Sequence, residues 1–263
     1  METLLIYLAA GACAGLASGL FGIGGGLIIV PVLLFSFRLV GVADSVTMHL
    51  ALGTSLATIV VTSLSSLRAH HKLGGIMWPV FRPLAVGLVI GAVAGAQIAG
   101  ALSNDVLQSV FAVFVLLMAA RMAVGGQPPA HRTVPGTPVL VATGGVFGII
   151  SSIVGIGGGS LNVPFLVWCG TEMRKAVGTS AACGFPIAVA GAAGYVIAGW
   201  HHPDLPTWST GFVYWPGFAG IAVASVLLAP VGARLAHRLP QPVLKRTFAL
   251  FLVIVGGKLL LGG

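Results

Sequence analysis

Gly22-Ile23-Gly24-Gly25-Gly26 decides the fold, because the chain repeats the stretch as Gly155-Ile156-Gly157-Gly158-Gly159. In the alignment that places Gly15 on Gly148, about half of the positions in residues 15–34 are identical. No Lys-Ser/Thr pair follows the glycines and no strand–helix alternation surrounds them, which excludes a phosphate-binding loop. They interrupt apolar runs instead, and a broken membrane helix exposes backbone groups that are tolerated only against protein or water. Two such breaks at matching places in two halves predict the binding site of a transporter.

The composition is that of a membrane protein. The 263 residues are 57% hydrophobic and 7% charged, whereas soluble domains carry roughly 25% charged residues. The apolar runs reach the ~20 residues of a spanning helix, which is longer than the ~10 alternating residues of a barrel strand. The net charge of +8 fits basic cytoplasmic loops, so we expect a lipid bilayer and no nucleic acid as partner. The three cysteines have neither a disulfide framework nor a metal spacing, and we expect no cofactor.

The two halves share one plan, in which a glycine-broken apolar stretch is followed by three transmembrane helices. The halves are residues 1–124 and 139–263, and a Gly- and Pro-rich linker at residues 125–138 joins them. The broken stretches are residues 3–37 and 139–168, and the expected helices are residues 45–67, 79–101, 106–124, 176–199, 211–236 and 242–261.

Further matches extend the duplication over nearly the whole chain. The last three of them share one spacing, so the halves align without gaps over their final two helices. The matches are Gly53-Thr54-Ser55 with Gly178-Thr179-Ser180, Trp78-Pro79 with Trp215-Pro216, Gly95-Ala96 with Gly232-Ala233, and Phe111-Ala112 with Phe248-Ala249.

The distribution of Lys and Arg chooses between two topologies. If each broken stretch crosses the membrane once, the two sides carry nearly equal shares of the 13 basic residues. If each stretch returns to the side it entered, all of them except Arg38 and Lys258 lie on one side, as the positive-inside rule requires. The sequence thus predicts an all-α integral membrane protein of two inverted-topology repeats, each a re-entrant or short-helix hairpin followed by three transmembrane helices. The linker is then cytoplasmic and both termini lie outside.

The helix starts after the glycine runs are the first candidates for substrate binding. Unpaired N–H groups and the positive end of the helix dipole bind anions without a charged side chain. All five acidic residues lie in loops or at helix ends, which favours an anionic or neutral substrate over a cation. We therefore predict substrate contacts from Gly24, Gly25, Gly26, Gly157, Gly158 and Gly159.

Polar side chains near the second glycine run make the predicted site asymmetric. Ser160 and Asn162 follow this run, where the first run has Leu27 and Ile29. A buried amide in lipid needs partners, so we expect Asn162 to bind substrate and Ser160 to lie beside it.

Further candidates lie early in the helix that follows each break. His49, one turn before Gly53, fits either a contact with substrate or a place at the outer water. Hydroxyls beside glycine fit substrate binding and close helix packing equally well. The four hydroxyl candidates are Thr54, Ser55, Thr179 and Ser180.

Two polar clusters flank the predicted membrane segments. Arg68, His70, His71 and Lys72 fit either a cytoplasmic anchor or an electropositive mouth that gathers anions. The other cluster is the His201-His202 pair with Asp204, which supplies too few ligands for a metal site, so none is predicted.

At these residues the chain resembles the sulfite exporter TauE/SafE family of membrane permeases. The resemblance rests on Gly-x-Gly-Gly-Gly followed by Val-Pro, at Gly22 to Pro31 and at Gly155 to Pro164, and on Gly-Thr-Ser in each half. It implies export of small anions, especially sulfite and organosulfonates such as sulfoacetate, across the bacterial inner membrane.

Several functions remain open at this point. The first is a secondary transporter, in which a small anion binds between the broken helices and the helix bundles rock around the bound anion. The second is an anion channel. An enzyme or assembly factor would need a convergent set of nucleophile, base or metal ligands, and the sequence shows none. A scaffold would leave the doubled glycine breaks unexplained. A homo-oligomer is also compatible with the sequence.

Overall fold

Ten α-helices and one short β-hairpin form the described part of the chain, residues 2–21, 25–124, 133–236 and 241–261 of a computed structural model. Five of these helices are long and apolar enough to cross a membrane, at Asp44–Lys72, Trp78–Ala101, Asn104–Ala123, Thr137–Val154 and Met173–Ala198. The expected multi-pass helical membrane protein is thereby confirmed. The elements are α1 (Glu2–Phe21), α2 (Gly26–Val40), α3 (Asp44–Lys72), α4 (Trp78–Ala101), α5 (Asn104–Val124), α6 (Thr137–Val154), α7 (Gly159–Trp168), α8 (Met173–Ala198), β1 (Ser209–Thr210), β2 (Val213–Tyr214), α9 (Trp215–Ala236) and α10 (Gln241–Leu261).

Each glycine-broken stretch forms two helices. Gly25 precedes α2 with a φ of 76°, and Gly155 follows α6 with a φ of 67°. Both values lie in the left-handed region that glycine adopts without steric strain. α6 has 18 residues and α7 has 10. At a rise of 1.5 Å per residue α7 is about 15 Å long, half the thickness of a bilayer's hydrocarbon core. α7 alone is therefore too short to cross a membrane.

The expected helix at residues 211–236 begins four residues later, at Trp215, so the predicted start of this helix is wrong. Residues 209–214 form a hairpin in which Ser209 pairs with Tyr214 and Thr210 with Val213. Gly211 makes this turn possible with a φ of 53°. The helix then starts at a Trp-Pro pair, as α4 does, because proline suits the first turn of a helix.

The central pair of the fold is α3 and α8. α3 packs against α8 and also touches α2, α5 and α9. α8 in turn packs against α4 and α7. The buried residues of α3 run without interruption from Val46 to Leu56, so this part of its N-terminal half is surrounded by protein.

Matching glycines let α1 approach α9 and α6 approach α4. At each of these glycines a methyl group would collide with the partner helix, so only glycine permits the contact. In the alignments that place Gly15 on Gly148 and Trp78 on Trp215, the four contacts form two equivalent pairs. They are Gly11 with Ile221, Gly15 with Ser225, Gly144 with Leu84, and Gly148 with Leu88.

Two threonines at matching positions make matching hydrogen bonds. Thr54 Oγ1 accepts a hydrogen bond of 3.0 Å from the backbone N–H of Tyr214. Thr179 Oγ1 accepts one of 3.0 Å from the backbone N–H of Met77. Tyr214 and Met77 are themselves equivalent in the alignment of Trp78 with Trp215. Each half therefore fixes the chain just before α4 or α9 with a threonine from the other half.

Candidate functional site

A cavity of about 80 Å³ lies between α3, α8 and the glycines that precede α7. A water molecule needs roughly 10–15 Å³ of such space, so the cavity has room for several waters or one small ion. Among the described residues that line it, none carries a charge. The lining residues are Ile59, Thr62, Ser63, Ser66, Gly157, Gly158, Gly159, Ser180, Ala181 and Gly184.

The start of α7 supplies hydrogen-bond donors at this cavity. The first intrahelical hydrogen bond of α7 runs from Asn162 N to Gly158 O at 2.8 Å. The N–H groups of Gly159, Ser160 and Leu161 precede that bond and have no acceptor within the helix. Together with the helix dipole they give this end of the cavity a partial positive charge.

Asn162 is the most unusual polar residue of the site. Its side chain is 0% exposed, and neither Oδ1 nor Nδ2 has a hydrogen-bond partner in the protein. Nδ2 lies so close to Gly158 that a side chain at Gly158 would collide with it. A buried amide left unpaired costs about 1–3 kcal/mol, so such a group calls for a functional explanation. Ser160 lies nearby in the chain, and its Oγ is likewise buried without a partner. Neither residue belongs to the cavity lining, and Asn162 adjoins it through Gly158.

The second glycine run and Ser180 lie together at the cavity, as the sequence predicts for a site. Gly157, Gly158 and Gly159 line it, and Ser180 Oγ donates a hydrogen bond of 3.2 Å to Gly158 O. The polar residues that α3 contributes were missed. Thr62, Ser63 and Ser66 stand within one hydroxyl-rich run of an otherwise apolar helix, and that run is the signal that could have identified them.

The first glycine run has a different environment. Gly24 lies outside the described residues. Gly26 packs against the second break, where a methyl group on it would lie 2.7 Å from Gly155 O. Gly25 caps α2, and its carbonyl accepts hydrogen bonds from the N–H groups of Ile28 and Ile29. Gly25 and Gly26 thus bring the breaks together and do not line the cavity.

The remaining sequence candidates lie away from the cavity lining. Thr54 and Thr179 hold the backbone before α9 and α4. Ser55 Oγ donates a hydrogen bond of 2.8 Å to Gly155 O. His49 is buried, with its Nε2 3.1 Å from Ala99 O and its ring stacked on Phe212, so it faces neither the cavity nor the outer water.

Basic side chains surround the ends of the helices that enclose the cavity. Arg68 and Lys72 are exposed on the last turns of α3, and Arg174 is exposed on the first turn of α8. Lys175 Nζ donates a hydrogen bond of 2.7 Å to Gly74 O and thereby links the two helix ends. Among the residues that the structure describes, no group of three His, Cys, Asp or Glu side chains forms a metal cluster.

Comparison with known proteins agrees with this architecture. A family model described as Sulfite exporter TauE/SafE matches residues 7–259. A probable membrane transporter protein of Haemophilus influenzae is 39% identical over 253 residues, which cover 96% of this chain and 96% of the relative. Another, of Xylella fastidiosa, is 27% identical over 263 residues and covers 97% of this chain and 94% of the relative. One of Methanocaldococcus jannaschii is 26% identical over 231 residues, with 87% and 82% covered. The chain is a multi-pass membrane transporter and belongs to the sulfite exporter TauE/SafE family.

Proposed function

We propose that this protein is a secondary transporter that exports a small anion, a sulfur oxyanion or organosulfonate such as sulfite or sulfoacetate. The observation that carries the proposal is Asn162, a buried amide whose two polar atoms have no partner in the protein and whose Nδ2 lies against Gly158 of the cavity lining. An anion in the cavity accepts hydrogen bonds from this amide and from the first N–H groups of α7.

The charge distribution supports an anion. The described cavity lining has no carboxylate that would attract a cation, and basic side chains surround the nearby helix ends. Positive charge at the entrance of a cleft concentrates anions and raises their association rate. The substrate class is proposed from this charge pattern together with the family description.

Inverted repeats explain why the cavity lies at a helix break. The paired contacts of Thr54 with Tyr214 and of Thr179 with Met77 support two halves that exchange equivalent interactions. In the proposed arrangement both termini lie outside the inner membrane and the linker lies in the cytoplasm. The two bundles then rock around the site and open it to each side in turn.

Counterflow in proteoliposomes tests this proposal against an anion channel. Vesicles that contain purified protein are loaded with unlabelled sulfite and diluted into labelled sulfite. A transporter accumulates label transiently above its equilibrium level, because the binding site returns occupied. Conductance that neither saturates nor exchanges would assign the protein to the channel class. Vesicles that show neither flux nor conductance with any sulfur anion would contradict the proposed substrate class.

A further inference from the structure

Three hydroxyl groups of the cavity already donate hydrogen bonds to the protein. Each donates to a backbone carbonyl, which can only accept. Because a hydroxyl has only one proton, these three oxygens can accept hydrogen bonds from a ligand through their lone pairs. To donate to the ligand, each would have to break its hydrogen bond to the protein. The pairs are Thr62 Oγ1 with Ile59 O at 3.2 Å, Ser63 Oγ with Val60 O at 3.3 Å, and Ser180 Oγ with Gly158 O at 3.2 Å.

The cavity thus has a donor side and an acceptor side. The donor side consists of the first N–H groups of α7, and the Asn162 amide, which is not itself part of the lining, lies directly against Gly158 on this side. The acceptor side consists of the oxygens of Thr62, Ser63 and Ser180, which α3 and α8 supply. Ser66 of α3, the fourth hydroxyl of the lining, makes no hydrogen bond to the described part of the protein and can donate as well as accept. A fully deprotonated oxyanion, which has only acceptor atoms, satisfies the donor side and leaves the acceptor side facing its negative oxygens.

The charge of the cavity favours one negative charge over two. The charged groups on the lining helices lie at their ends: Asp44 at the start of α3, Arg68 and Lys72 with the titratable His70 and His71 at its end, and Arg174 and Lys175 on α8, with Glu172 just before α8. α7 itself carries no charged residue. Because the cost of removing an ion from water grows with the square of its charge, a dianion costs about four times as much as a monoanion to desolvate. Dipoles and neutral amides at one end of the cavity compensate one charge better than two.

We propose that the cavity takes a small oxyanion in its singly protonated form. The charged oxygens face the start of α7 and Asn162, and the ligand's own hydroxyl donates to an acceptor oxygen of Thr62, Ser63 or Ser180. This inference rests on the proposed function and specifies the ionisation state of the substrate. It also accounts for helix interiors without carboxylates, since the proton crosses the membrane on the anion.

The pH dependence of binding tests the proposal on the purified full-length protein. Sulfite is the probe, because it loses its last proton near neutral pH. Methanesulfonate serves as a monoanion that has no hydroxyl group. Sulfate serves as a dianion that has no hydroxyl group. We expect the affinity for sulfite to fall about tenfold per pH unit once the singly protonated form is the minor species. Methanesulfonate should bind more weakly and show no such slope, and sulfate should bind least.

Thr62→Val removes one acceptor while keeping the shape of the side chain. Thr47→Val is the matched control, because Thr47 also donates to its own helix, to Ala43 O at 2.8 Å, but is absent from the cavity lining. We expect Thr62→Val to weaken binding of singly protonated sulfite by about tenfold and to leave methanesulfonate binding unchanged. Thr47→Val should change neither.

Three results would overturn the inference. One is sulfite affinity that stays constant or rises as the dianion forms. Another is a slope that methanesulfonate shares, since the titrating group would then belong to the protein. The third is equal behaviour of Thr62→Val and Thr47→Val. If sulfite, methanesulfonate and sulfate all fail to bind at every pH, the proposed function itself fails. That outcome differs from the three above, in each of which at least sulfite binds.

Discussion

Ser55 and Gly155 join the two halves at the level of the helix breaks. Ser55 Oγ, in the first half, donates a hydrogen bond of 2.8 Å to the carbonyl oxygen of Gly155, which ends α6 in the second half. Gly26 packs against the same carbonyl. The breaks are therefore held against each other by contacts between the halves. Any change of the angle between the halves must pass through these contacts, next to the cavity that Gly157, Gly158 and Gly159 line.

Gly158→Ala should weaken anion binding without unfolding the protein. Gly158 has a φ of −65° and a ψ of −6°, which alanine adopts freely, so the main conflict is with the amide of Asn162, and Ile187 Cδ1 at 3.1 Å is a flexible second contact. Displacement of that amide should lower the affinity for sulfite by about tenfold, which corresponds to about 1.4 kcal/mol. Calorimetric titration measures the affinity.

The control for Gly158→Ala is Gly145→Ala in α6. A methyl group at Gly145 has no atom within 4 Å, so this variant changes a helical glycine without a collision. Equal affinities for the two variants would place the anion away from the start of α7.

Thr54→Val and Thr179→Val should each destabilise the protein to a similar extent. Each change removes the acceptor for a partly buried N–H group, that of Tyr214 or of Met77. An unpaired buried donor costs about 1–3 kcal/mol, so we expect a loss of that size in the free energy of unfolding. Denaturant titration in detergent, followed by tryptophan fluorescence, measures the loss.

Thr47→Val serves again as the control, because its hydroxyl bonds only within α3 and leaves no N–H group unpaired. A loss for Thr47→Val as large as for the other two would show that the contacts between halves add nothing to stability.

The glycine repeat and the apolar runs made most of the helices predictable. The repeat located both helix breaks, and the expected helix at residues 79–101 matches α4. The hairpin at residues 209–214 escaped prediction, because its apolar residues resemble the start of a spanning helix and its turn depends on Gly211 alone.

The site was predictable in part, for a physical reason. Asn162 stands out in sequence because an amide within an apolar run must find a partner or a ligand. Thr62 and Ser63 do not stand out, because a hydroxyl that bonds to its own helix is common in membrane helices. Only the packing of α3 beside the second glycine run shows that their oxygens line a cavity.

Cysteine labelling should place Thr133 and His201 on opposite sides of the membrane. Both residues are exposed, the first within the linker and the second between α8 and β1. In a protein whose native cysteines are replaced by alanine, Thr133→Cys should react only with reagent at the cytoplasmic face. His201→Cys should react only from outside. Labelling of both from one side would contradict the inverted arrangement of the halves.

Binding of sulfite to Asn162→Leu is the experiment on which the proposed site depends. Leucine keeps the number of heavy atoms and the branching of the side chain and removes both polar atoms. Ile29→Leu is the matched control, because Ile29 is the equivalent buried residue of the first half. If Asn162 contacts the anion, Asn162→Leu should lower the affinity by about tenfold or more, and Ile29→Leu should leave it unchanged. Unchanged affinity in Asn162→Leu would contradict a site at the start of α7.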